Sequence, residues 1–147
     1  MSELKKKLQD EMKQAMRDKD TLKLSTVRGI IAEVKKAEID TKKDFGDEDV
    51  SSLVQKEIKK RRDALQFAKD ANREDLVAQN NAEIEILKTY LGEQITEEKL
   101  SELILALIQS GSDNLGKIMG ALNKDHKGKF DGTVASNLAK NLLEKKA

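Results

Sequence analysis

The chain has 147 residues, with 28 Lys or Arg against 27 Asp or Glu and a formal net charge of +1. That balance excludes a polycationic arm or an acidic disordered segment, and the absence of Pro and Trp, with only three Phe and one Tyr, leaves an all-β fold without its raw material. Cysteine is absent as well, which removes disulfides, thiol nucleophiles and Cys-based zinc or iron–sulfur sites.

From the N-terminus, Leu4, Leu8, Met12, Ala15 and Met16 recur at steps of three and four and predict a helix. Asp20 then reads as the cap of a second helix that carries Leu24, Val27, Ile30, Ile31, Val34 and Ala37 to about Lys43. Phe45 and Gly46 break the pattern, and Asp47, Glu48 and Asp49 suit the positive end of a third helix buried through Val50, Leu53, Val54, Ile58 and Leu65. Asn72 is the expected cap of a fourth helix, which runs through Leu76, Val77, Ile84, Leu87 and Leu91 to Gly92. The expectation is an elongated bundle of about four helices over residues 1–92.

After Gly92 the texture changes. Thr96 reads as an N-cap, with Ile95 and Leu100 placed as a hydrophobic staple, and Leu100, Leu103, Ile104, Leu107 and Ile108 as the buried face. Five of the eight glycines lie beyond Ser110, which predicts sharper turns. A short helix over Leu115 to Leu122, a loop from Lys124 to Phe130, and a last helix capped by Asp131 and buried through Val134, Leu138, Leu142 and Leu143 complete a small three-helix domain over 93–147. So small a core is expected to be the less stable part. The fold class is therefore all-α.

No catalytic signature is present: no GxSxG elbow, phosphate loop, HExxH or GxGxxG. The carboxylate groups sit at helix starts or on solvated faces, and His126, the single histidine, is an exposed loop residue by its setting, so no catalytic group, metal or cofactor is expected. Arg28 and Arg61 fall on or beside apolar stripes, which predicts half-buried guanidinium groups paired with acids such as Glu57 or Glu83. In LGKIMGALNKDHKGKFDG (Leu115 to Gly132), Gly116 and Gly120 are one turn apart and are expected to face inward, while Lys117, Lys124, Lys127 and Lys129 are a candidate grip on a phosphate backbone. No apolar leader or membrane span is visible, so the cytoplasm and no membrane partner are expected.

LGKIMGAL, KGKFDG and VASNLAKNLL, with TYLGEQITEEKL, QKEIKKRRDALQFAKDANREDLV and LSTVRGIIAEVKKAEI further back, resemble the GatB/YqeY family along nearly the whole chain. The resemblance is to free-standing YqeY-like proteins, whose small domain is similar to the tail of the B subunit of the glutamine-dependent tRNA amidotransferase. In that enzyme the tail contacts tRNA and the chemistry occurs elsewhere. What the resemblance implies is a noncatalytic tRNA-binding or amidotransferase-associated adaptor, touching Gly116, Lys117, Met119, Gly120, Lys127, Gly128, Asp131 and Gly132. The alternative is a protein interaction module without RNA binding, and a glutamine-dependent carbon–nitrogen ligase acting within a complex is the third reading. Two departures stand out: Gly92 where the family usually has Pro, expected to loosen the hinge, and Leu122 and Asn123 where it often has Met-Pro.

Overall fold

The computed structural model describes residues 2–146. Among them the fold is all-α, with seven helices and no strand: α1 (Glu3–Asp18), α2 (Thr21–Thr41), α3 (Asp47–Asp70), α4 (Glu74–Lys88), α5 (Glu97–Gln109), α6 (Leu115–His126) and α7 (Gly132–Lys146). Among the described residues no helix is long and apolar enough to cross a membrane. Two compact units divide the chain, Met1–Gly92 and Glu93–Ala147.

In the first unit the helix starts follow from short polar side chains that satisfy orphan N–H groups. Ser2 accepts from the Lys5 N–H and Asp20 from the Lys23 N–H, each at 3.2 Å. The core unites Leu8 of α1 with Val27, Ile30 and Val34 of α2, Val50, Val54 and Ile58 of α3, Leu87 of α4, and Tyr90. Tyr90 is fully buried, and its hydroxyl donates to Glu11 at 2.9 Å, so burial and the adjacent carboxylate both push its pKa up. The Lys7 ammonium lies 5.3 Å from the ring centroid, a cation–π contact.

Several boundaries differ from expectation. Asn72 does not cap α4. It adopts φ +56° at the end of α3, a left-handed turn that Asn tolerates, and Arg73 takes the N-cap position. Helix α4 stops at Lys88 rather than at Gly92, and the Gly92 N–H donates to the hydroxyl of buried Ser51 at 3.0 Å. A proline there would lack that donor, so in this chain glycine supplies a fastening.

The second unit has its own core: Leu100, Ile104 and Ile108 of α5, Ile118 and Leu122 of α6, Phe130, and Ala135 and Ala139 of α7. Thr96 caps α5 by accepting from the Lys99 N–H at 3.1 Å, and Ile95 packs on this core with Leu100. Asp131 accepts from the Thr133 N–H at 2.8 Å. The centre of the α7 face is Ala135 and Ala139, with Val134, Leu138, Leu142 and Leu143 partly buried around it, because alanine permits close helix packing. Helix α6 is a full turn longer than expected, since Asn123 keeps the N–H that a proline would have removed.

Candidate functional site

Helix α6 and the loop after it carry the four candidate lysines. Ile118 and Leu122, four apart, set the buried side of α6, with Leu115 and Met119 packed beside them. Helical geometry then sends Lys117 and Lys124, seven apart, to the solvent side one above the other, and both are exposed. Gly116 and Gly120 fall on that same open side. A Cβ at Gly120 would meet nothing within 4 Å, and one at Gly116 would meet only the Asn114 side-chain oxygen at 3.3 Å. The expectation that these glycines face inward is therefore corrected: the apolar positions 118 and 122 had already claimed the packed face. The result is a stretch of helix with bare backbone between lysines.

Asn114 fixes the start of α6 by accepting from the Lys117 N–H at 2.9 Å, and the Lys117 ammonium reaches Asp113 at 3.1 Å. That hydrogen bond holds the Asp113 carboxyl below the usual carboxylate range. Beyond His126, Lys127 is extended and exposed, Gly128 takes φ +76°, and half-buried Lys129 leads into Phe130, which plugs the core. Positive φ at 128 is a conformation that glycine adopts without steric cost.

The loop is braced from behind by residues that sequence reasoning did not select. The Gln94 side-chain amide donates to the Gly128 carbonyl at 2.8 Å, and the Ile95 N–H donates to the Lys129 carbonyl at 2.7 Å. Each of these carbonyls lies in the segment bearing Lys127 and Lys129, so backbone freedom is restricted there before any ligand arrives. Met119 serves the core, Asp131 caps α7, and Gly132 begins it in open space. Among the described residues no group of three or more His, Cys, Asp or Glu is placed to hold a metal ion.

Of the two arginines assigned to ion pairs, Arg61 lies between Glu57 at 2.9 Å and Glu83 at 3.0 Å, with its side chain 21% exposed, and also donates to the Glu57 carbonyl. Arg28 is exposed and forms no ion pair among the described residues. Being next to Val27 in sequence turns it about 100° around the helix, away from the face formed by Val27, Ile30 and Val34.

The profile of the YqeY family, described as Yqey-like protein, matches residues 5–143. The chain belongs to this family. Its relatives include proteins named altered inheritance of mitochondria protein 41, mitochondrial. The one from Pyrenophora tritici-repentis is 34% identical over 128 residues, covering 84% of this chain and 71% of the relative. That from Lachancea thermotolerans is 37% identical over 110 residues, covering 70% and 59%, and that from Kluyveromyces lactis is 39% identical over 85 residues, covering 56% and 45%. The chain thus spans from under half to about seven tenths of the length of these curated relatives. Their names place those proteins in mitochondria, which overturns the cytoplasmic expectation. That expectation rested on missing targeting features, and a missing feature carries no address.

Proposed function

We propose that this YqeY-like protein is a noncatalytic adaptor that holds tRNA through the open side of α6 and the loop after it, in association with an amidotransferase that performs the chemistry. The observation that carries the reading is the bare helical backbone at Gly116 and Gly120 beside exposed Lys117 and Lys124, continued by a braced lysine loop. A phosphate backbone gains most where cations stand beside a surface it can approach closely, and Cβ atoms at 116 and 120 would hold it away. From 111 to 147 there are seven Lys against four acids, whereas acidic Glu93, Glu97, Glu98 and Glu102 lie at and before α5. The tail thus separates its charges along the chain. tRNA as the RNA class rests on the resemblance.

The direct test is binding of unmodified tRNA by the full chain and by the variant with Lys117, Lys124, Lys127 and Lys129 changed to Gln. The parent is expected to bind at low salt and the variant to lose at least about tenfold in affinity, since several phosphate contacts disappear together. Equal affinity would contradict the assignment, and no binding by the parent would favour the protein interaction reading.

Gly120→Ala separates stability from binding. Alanine in an open helix interior is expected to stabilise the second unit by about 0.5–1 kcal/mol, read as a higher Tm, because glycine costs roughly that much in a helix. If the bare face receives RNA, the same variant binds more weakly while melting later.

A further inference from the structure

The solvated position of Arg28 leads to a second surface, in the first unit. Arg28, Lys35 and Lys42 are seven residues apart along α2 and its C-cap, so they form one row about 21 Å long. All three are exposed, and none makes an ion pair among the described residues. Lys35 and Lys42 line one shallow depression of about 490 Å³ together with Ile39, which is 76% exposed. Gln9 of α1 and Lys35 of α2 line a common groove, which places them on the seam between the two helices. Lys6 and Lys13 flank Gln9 at i−3 and i+4 on α1, exposed and without ion pairs among the described residues, and Met16 beyond them is 50% exposed. The outer side of the α1–α2 pair therefore carries a row of three cations on α2 and, on α1, Lys6 and Lys13 with Asp10 between them, with apolar side chains among them.

The carboxylates nearby cancel this charge only in part, and the surplus stays positive: on α1, Asp10 lies four residues after Lys6 and three before Lys13, and Glu3 lies three before Lys6. Glu38 and Asp44, which border the depression, share the single cation of Lys5, at 2.7 and 2.8 Å, which leaves one negative charge against Lys35 and Lys42. Asp49 is buried and bound to Lys43 at 3.0 Å. Glu33 and Asp40 lie on the far shoulder of α2, more than about 100° round from Arg28.

We infer that the outer face of the α1–α2 pair is a peripheral docking surface for an anionic lipid bilayer. Charge complementarity points to an anionic partner, and the exposed Ile39 and Met16 decide its class. A nucleic acid admits apolar side chains only where its bases unstack, whereas an anionic bilayer places hydrocarbon directly beneath its charged headgroups. Lysine stems reach the headgroup level while their apolar length covers the boundary. The expectation of no membrane partner came from the lack of a spanning segment, which does not bear on surface attachment.

The experiment is sedimentation of the full chain with phosphatidylcholine vesicles containing phosphatidylserine, against pure phosphatidylcholine vesicles. The protein is expected to bind the anionic vesicles at low salt, to release as salt rises, and to ignore the neutral ones. Changing Arg28, Lys35 and Lys42 to Gln is expected to lower partitioning about a hundredfold, near fivefold for each charge. Ile39→Ser, which leaves the charge unchanged, is expected to lower it several-fold. All four sites are exposed, so circular dichroism and Tm should match the parent. The tail variant with four Lys changed to Gln should bind vesicles normally, which keeps this surface distinct from the RNA reading. No retention of the parent on anionic vesicles, or full retention of either the triple variant or Ile39→Ser, overturns the inference, as does loss of tRNA binding in the triple variant with vesicle binding intact.

Discussion

Changing Leu122 to Ala is expected to cost about 3 kcal/mol and to unfold much of the second unit at moderate temperature. Leu122 is 1% exposed and packs among Ile104, Ile118, Phe130 and the α7 alanines, where a shortened side chain leaves a cavity that close-packed neighbours fill only in part. A unit spanning Glu93–Ala147 has a total stability on the order of 3–8 kcal/mol by the usual per-residue scale, so this one change approaches the whole. Thermal unfolding followed by circular dichroism checks it. The variant should lose a low-temperature portion of its helical signal while the portion from the first unit melts as in the parent. RNA binding should fall with it, because α6 loses the packing that fixes its open face.

Arg61→Ala is expected to destabilise the first unit by roughly 2–3 kcal/mol, somewhat less than for a fully buried pair because part of the site reaches solvent. Glu57 and Glu83 are 13% and 17% exposed, and removing the guanidinium leaves two adjacent carboxylates without their common partner. Replacing Arg61 with Met and both acids with Gln should recover most of the loss, since the desolvated charges go together. The pH dependence has a definite sign. Burial pushes the Glu57 carboxyl up, but hydrogen bonds from Arg61 and Lys60 outweigh it and hold the group below its ordinary 4.5. A carboxyl depressed in the folded state contributes stability above its unfolded pKa and loses it as pH falls through the folded value. Parent stability should therefore decline as pH drops below about 4.5, and the variant lacking both acids should decline less. Denaturant unfolding at pH 7 and at pH 3 measures both effects.

The contrast between Arg61 and Arg28 shows what was legible. Arg61 lies three residues after Ile58 and four before Leu65, so it shares their side of α3, and its acids could be named in advance. Arg28 lies one residue after Val27 and three before Ile31, at the margin of the stripe rather than on it, and neighbours in sequence diverge around a helix. Thr96, Asp20 and Asp131 were readable as caps because a short polar side chain before an apolar run has one main local use. Asn72 misled for a related reason, since the same residue type serves equally in a left-handed turn. Gly116 and Gly120 were legible as a shared face, but which face required knowing that Ile118 and Leu122 anchor α6. The bracing of the lysine loop by Gln94 and Ile95 joins residues more than thirty apart, and no local pattern announces such a contact.

Central to this account is that the tail lysines meet phosphate, and the salt dependence of tRNA binding tests that most directly. For the full chain, the logarithm of the association constant plotted against the logarithm of salt concentration is expected to fall with a slope of several units. In the variant with Lys117, Lys124, Lys127 and Lys129 changed to Gln, the slope should shrink by roughly 0.7–0.9 for each phosphate contact removed. A slope that is the same in parent and variant, or flat in the parent, would contradict it.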